Sequence, residues 1–176
     1  MMFFLYATPC KGGFYGGMNT GVVFSQFSKC TQRAETLGGS HASINLFSGY
    51  GLVSGGKYVG MRAKILGLDF AHPGEVFKTH IFWNLEAVIG LYLTPSNLFY
   101  VAPGVEISSN SHKDNEHQWK WDWGTVVNVG SRTMITEHWF WQLEGTILFH
   151  PNVLDRSSSK YHKQALRFYM GIGYNH

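Results

Sequence analysis

The stretch Ile81-Phe-Trp-Asn-Leu-Glu-Ala-Val-Ile-Gly-Leu-Tyr-Leu93 decides the fold. Its odd positions, Ile81, Trp83, Leu85, Ala87, Ile89, Leu91 and Leu93, are all apolar. Its even positions read Phe82, Asn84, Glu86, Val88, Gly90 and Tyr92. A period of two belongs to a strand with two unlike faces, not to a helix, whose apolar positions recur every three to four residues. At about 3.3 Å per residue the segment reaches roughly 40 Å, long for a soluble strand but suited to a tilted crossing of a bilayer.

The same alternation recurs on both sides of it. Phe99, Val101, Pro103, Val105 and Ile107 alternate with Tyr100, Ala102, Gly104, Glu106 and Ser108. Trp119, Trp121, Trp123, Thr125, Val127 and Val129 alternate with Lys120, Asp122, Gly124, Val126, Asn128 and Gly130. Further strands read from Trp139 to Phe149 and from Leu166 to Tyr174, and weaker ones over 13–25, 44–53 and 58–70. In the last of these the phase is ambiguous after Ile65, since Leu66, Leu68 and Phe70 would fall on the polar face, and a β-bulge near Gly67 would return them to the apolar one. That makes eight strands. Short connections fall at about 54–57, 94–97 and 131–136, and long ones at about 26–43, 71–80, 109–118 and 150–163. Short turns at one end and longer polar loops at the other fit an up-and-down antiparallel outer-membrane barrel.

Composition agrees. Of 176 residues, 44% are hydrophobic and 16% aromatic, while only 14% are charged, against about 25% charged in soluble domains. No apolar run approaches the roughly 20 residues of a transmembrane helix; one of the longest, 87–93, has seven. Aromatic richness and low net charge exclude disorder, and a formal charge of +3 offers no case for a nucleic-acid partner. The chain reads as one domain over 1–176, with 1–11 either a signal-peptide remnant or an N-terminal extension. Cys10 and Cys30 sit in no metal-type spacing and define no disulfide framework.

A soluble lipocalin-type barrel and a membrane barrel share eight alternating strands but turn opposite faces inward. The minority face here is Gly, Asn, Gln, Ser and a balanced set of charges: Arg62, Lys64, Lys120 and Arg167 against Glu86, Glu106, Asp122 and Glu144. Facing lipid at mid-depth, each Arg or Lys would cost about 2–4 kcal/mol. Facing a narrow lumen, the charges can pair. The polar face is therefore the interior, and Arg62, Lys64, Glu86, Glu106, Glu144 and Arg167 are expected near one level, with Glu86 beside Arg62 and Lys64, and Glu144 beside Arg167. Trp83, Trp119, Trp121, Trp123, Trp139, Trp141 and Tyr174 gather toward strand ends, as membrane-interface aromatic belts require.

Three segments carry a family resemblance. Leu46-Phe-Ser-Gly-Tyr-Gly51 followed by Gly55-Gly-Lys-Tyr-Val-Gly-Met-Arg-Ala-Lys64 resembles the second hairpin of the small OmpA-like/opacity-type outer-membrane β-barrel proteins. Asn97-Leu-Phe-Tyr-Val-Ala-Pro-Gly-Val-Glu106 is similar to a later strand of that group, and Leu166-Arg-Phe-Tyr-Met-Gly-Ile-Gly-Tyr174 to its closing strand. Asn175 and His176 follow Tyr174, where the group usually ends on an aromatic residue. The resemblance implies an integral protein of a Gram-negative outer membrane, and it brings no catalytic motif.

Other chemistry is thinly signalled. Of nine histidines, His41, His72, His80, His112, His117, His150 and His162 are expected in or beside the long loops, and His138 and His176 at the opposite end. His112, Asp114, Glu116 and His117 lack a standard metal spacing. Ser40-His41 and Ser111-His112 are adjacent in sequence, so within a strand their side chains diverge, and no nucleophile elbow is present. The expectation is a non-enzymatic barrel without metal or cofactor. Its long loops would meet a protein partner or surface ligand, its outside membrane lipid and lipopolysaccharide. A small pore is the main alternative, with a lipid A-modifying enzyme or a soluble ligand-binding barrel behind it.

Overall fold

The computed structural model describes residues 11–29, 36–70, 77–112, 120–154 and 160–176. They form eight strands: β1 (Lys11–Lys29), β2 (Thr36–Ser54), β3 (Lys57–Phe70), β4 (Phe77–Thr94), β5 (Asn97–His112), β6 (Lys120–Met134), β7 (Trp139–Leu154) and β8 (Lys160–Asn175). Each pairs antiparallel with the next. β8 then pairs with β1, from Asn175 opposite Tyr15 to Tyr161 opposite Lys29, which closes the sheet into a barrel. Closure removes the open edge, the condition under which β-structure is stable in a bilayer.

The tight end is built by local turn chemistry. Gly55 and Gly56 hold φ of 56° and 76°, the paired left-handed conformation of a two-residue hairpin turn that suits strand twist. Thr136 anchors the bend between β6 and β7, its Oγ1 accepting from the backbone N–H of Trp139 at 3.0 Å. This bend comes later than the turn expected over 131–136. β6 continues through Met134, so Arg132 is a strand residue that faces the lumen.

At the other end the strands run further than their alternation suggests. β1 reaches Lys29 and β2 begins at Thr36, where a loop over 26–43 was expected; β7 and β8 similarly occupy most of 150–163. The reason is that beyond the lipid both faces of a strand can be polar. Gln26, Ser40 and Gln164 take outward positions there, so the contrast between faces fades while the ladder continues, Gln26 lying opposite both Gly38 and Gln164.

A bulge is present two residues before the expected Gly67. Leu46 pairs with Leu66 but Phe47 pairs with Lys64, leaving Ile65 as the extra residue. Ile65 and Leu66 both face outward, and Gly67 and Asp69 turn inward. Along β4 the sorting is complete: Phe82 is 0% exposed and Ile89 59%. Tilted by about 40°, the outward apolar run from Ile81 to Leu93 covers roughly 30 Å of depth, enough for the ~25 Å apolar band of an outer-membrane barrel.

Inside, Tyr15, Phe47, Tyr58, Val88, Leu98, Tyr100, Ala102 and Phe140 pack together toward the turn end. Several of these rings lie over glycines of neighbouring strands: Tyr15 over Gly49, Tyr58 over Gly51, Tyr100 over Gly130 and Phe140 over Gly173. Phe82 likewise covers Gly67, and the Arg167 guanidinium carbon lies 4.2 Å from the centre of the same ring. A Cβ at residue 67 would enter that ring. Gly67→Val is therefore expected to lower the unfolding free energy by about 1–3 kcal/mol, the range for overpacking an interior that cannot give way. Urea titration of the folded, heat-modifiable form measures it; a loss no larger than that of the outward Ala63→Val would show that the Phe82 seat is soft.

Candidate functional site

The lumen carries two layers of charge. In the layer nearer the turns, the β3–β4 register places Arg62 opposite Glu86. Arg62 Nε donates to Glu86 Oε2 at 2.7 Å, and Nη2 lies 2.5 Å from the same oxygen. Glu144 reaches the pair from β7 on the far side of the barrel. Its Oε2 lies 2.6 Å from Arg62 Nη2 and accepts from the Tyr100 hydroxyl at 2.9 Å, while its Oε1 accepts from Lys64 Nζ at 2.6 Å. Lys64 also donates to Asn128 Oδ1 at 3.1 Å and lies 3.4 Å from Glu86. Two cations and two carboxylates, all essentially buried, form a neutral, hydrogen-bonded set. That is the condition under which buried charge is tolerated.

The second layer lies one lumen-facing step closer to the loops, since Glu106 stands opposite Asn84 and not Glu86. Arg167 meets both oxygens of Glu106, with Nη2 to Oε1 at 3.1 Å, and its Nη2 lies 3.5 Å from Asp69. Each carboxylate has a histidine on its other side: His41 Nε2 is 3.5 Å from Asp69 and His150 Nε2 is 3.6 Å from Glu106. The buried Lys163 joins this layer within electrostatic reach of Asp69, Glu106 and Asp122. The result is a chain of alternating groups across the barrel, His41–Asp69–Arg167–Glu106–His150.

The expected single level is thus two. Glu144 and Arg167 lie on paired strands as expected, yet Glu144 is held by Arg62 and Lys64 and Arg167 by Glu106. In a closed barrel the shortest path between such side chains runs across the lumen. Lys120 opens β6 opposite Asn110, and Asp122 is half-buried on the inner face. Five inward groups were missing from the expected set: Arg132, Asp69, Lys163, His41 and His150. Asp69 was legible from the bulge, which turns odd positions inward after Ile65. The other four were assigned to turns or loops that are in fact strand.

The histidines divide accordingly. His41 and His150 are lumen residues, 8% and 0% exposed, not loop residues. Ser40 faces out while His41 faces in, so the adjacent pair diverges. His162 stacks on Phe149 at 6.0 Å, and His138 stacks on Tyr174 at 5.3 Å beside the β6–β7 bend. His176 is exposed, and His80 and His112 fall within β4 and β5. His72, Asp114, Glu116, His117, Cys10 and Cys30 lie outside the described residues.

Outside, aromatic side chains mark both ends. Trp83 stacks on Trp121 at 5.1 Å, and Trp123 beside them is 66% exposed, toward the loops. Toward the turns Trp139 meets Tyr174 edge-on at 5.3 Å, with Trp141 two residues further up β7. Trp119 lies outside the described residues. An apolar exterior, a charged interior and a closed ladder define a transmembrane β-barrel of the outer-membrane type.

Solved structures share this fold. Neisserial surface protein A (NspA) aligns with a TM-score of 0.57 at 11% identity, covering 93% of this chain and 98% of its own. The N-terminal β-barrel domain of Pseudomonas aeruginosa OprF gives 0.53 at 12% identity, covering 92% and 99%. Ail, the attachment invasion locus protein of Yersinia pestis, gives 0.51 at 10% identity, covering 92% and 98%. What is shared at such identity is the architecture. No family model matches the sequence, and no curated protein matches it.

Proposed function

We propose that the protein is a non-enzymatic integral barrel of a bacterial outer membrane, with a structural or surface-interaction role exerted at its loop end over a plugged lumen. The carrying observation is how the interior is filled. Arg62, Lys64, Phe82, Phe140, Lys163 and Arg167 are all fully buried, in a barrel size whose interior is just wide enough for side chains. The charge layers are neutralised from within the chain, so nothing in them calls for a transported ion. Function then falls to the surfaces: lipid along the apolar band, lipopolysaccharide at the loop-side leaflet, and a protein or other ligand at the loops. NspA is by name a surface protein and Ail by title an attachment protein, which supports a role of this kind.

Two measurements test the reading. In planar bilayers the native protein is expected to show no stable conductance. Steady channels whose conductance changes in Glu106→Gln would replace the plug with a pore. On cells, exchanging 71–76 and 113–119 for glycine–serine segments is expected to abolish surface attachment while heat-modifiable folding persists. Unchanged attachment would remove these two segments from the function.

A further inference from the structure

The outer wall carries an apolar groove of about 640 Å³ on β3 to β6. Its geometry follows from the register. Val59, Ile89, Val101 and Val129 stand opposite one another and form one outward row across the four strands. Lys57, Leu91 and Phe99 form the next outward row toward the turns. Between the rows lie Tyr58, Gly90, Tyr100 and Gly130, inward positions that leave backbone as the groove floor. Three strand spacings of about 4.8 Å give the groove a length of roughly 14 Å. It is inclined to the bilayer. Lys57 is the first residue of β3, whereas Val129 lies five residues before the end of β6. The groove therefore rises from the turn-side interface at Lys57 into the apolar band at Val129.

The two ends of the groove differ in chemistry. Among the described residues Lys57 is the one charged side chain on the outer face of β3 to β6, and it makes no hydrogen bond or ion pair with any of them. A cation at the interface and a bare apolar channel leading inward match the two parts of a lipid, an anionic headgroup and an acyl chain. We propose that this groove is a specific site for one anionic phospholipid of the turn-side leaflet, its phosphate on Lys57 and one acyl chain laid between the two rows. The leaflet follows from sidedness, because the short turns of outer-membrane barrels face the periplasm. Charge complementarity selects the occupant. A zwitterionic lipid would bring a cation of its own beside Lys57, and a second copy of the chain docked through this face would bring another Lys57 and no carboxylate to meet it. The site deepens the lipid contact of the apolar band and is independent of the loop role, which belongs to the opposite end of the barrel.

The experiment places the refolded full chain in nanodiscs holding equal shares of phosphatidylglycerol and phosphatidylethanolamine. Heat-modifiable assembly there secures the lipid-facing band, so a negative result counts against the site alone. Native mass spectrometry on release from the discs is expected to show one retained phospholipid, with phosphatidylglycerol favoured about fivefold, the weight of one lysine at a membrane surface. Lys57→Gln should remove the preference and Lys57→Arg should keep it. Val101→Phe, which fills the groove and leaves the wall apolar, should lower retention of both lipids. In NMR spectra, phosphatidylglycerol spin-labelled on its acyl chain should broaden the amide of Gly130 more than that of Gly16, which lies on β1 across the barrel. Equal retention of the two lipids by the native chain, an undiminished preference in Lys57→Gln, or equal broadening at Gly130 and Gly16 would each overturn the site in favour of a general lipid coat. A dimer mass without lipid would assign the groove to a second copy of the chain instead. If Val101→Phe does not assemble, Lys57→Gln and the broadening still decide.

Discussion

Glu144→Leu is expected to remove about 3–5 kcal/mol of unfolding free energy, the cost of breaking a buried ion pair from one side. Glu144 is the shared acceptor of the turn-side layer, holding Arg62, Lys64 and the Tyr100 hydroxyl at once. Without it Arg62 retains Glu86 at 2.5 Å, but Lys64 keeps only a carboxylate 3.4 Å away and the amide oxygen of Asn128. Most of the loss is therefore the stranded Lys64 charge. That makes the rescue specific: Lys64→Met with Glu144→Leu removes a cation and an anion together, leaves Arg62 with Glu86, and should recover most of the loss, since replacing a whole buried pair by apolar groups is often neutral. Urea unfolding of the refolded barrel, followed by the shift from folded to unfolded gel mobility, measures Glu144→Leu, Lys64→Met and the double variant. Additive losses in the double variant would mean that Lys64 and Glu144 do not depend on each other.

The second large effect lies on the other face of the same wall. Ile89→Arg should destabilise the barrel by about 2–4 kcal/mol, the cost of a guanidinium facing the middle of a bilayer, and sharply reduce assembly into membranes. Ile89 is 59% exposed in the isolated barrel, among outward neighbours Val59 and Val101. The charge would point into hydrocarbon with no carboxylate beside it. Leu93→Arg, at the turn-side end of β4, should be far milder, because a long side chain there can extend to the interface. Assembly into vesicles, scored by heat-modifiable mobility and protease resistance, reads out both. Equal behaviour of the two variants would contradict a depth-dependent lipid contact, and normal assembly of both would return the soluble-barrel alternative.

The contrast between these variants shows which inferences alternation supports. The odd–even pattern of 81–93 assigns each residue of β4 to a side of the wall, and the ambiguous phase after Ile65 signals the bulge that turns Asp69 inward. Glu86 beside Arg62 was legible too, because consecutive strands of a meander are neighbours. The pattern failed where its contrast is physically absent. Beyond the lipid both faces are polar, so His41, His150 and Lys163 looked like loop residues although the ladder carries them into the lumen. Arg132 was lost for a similar reason at the opposite end, where Ser131, Thr133 and Thr136 resemble a turn.

Composition and period alone thus determined that this chain is an eight-stranded barrel with lipid outside and charge within, because sidedness is a local property of every second residue. The tertiary structure decided which charges meet. Lys64 and Glu144 are eighty residues apart and on non-adjacent strands, and they touch only because closing the sheet brings opposite walls within a side chain's reach. The same closure sorts the charges into two balanced layers and leaves Arg132 against the Tyr15 and Phe140 rings, with no carboxylate partner among the described residues. No spacing along a single strand encodes that arrangement, because it depends on the register of every ladder around the barrel.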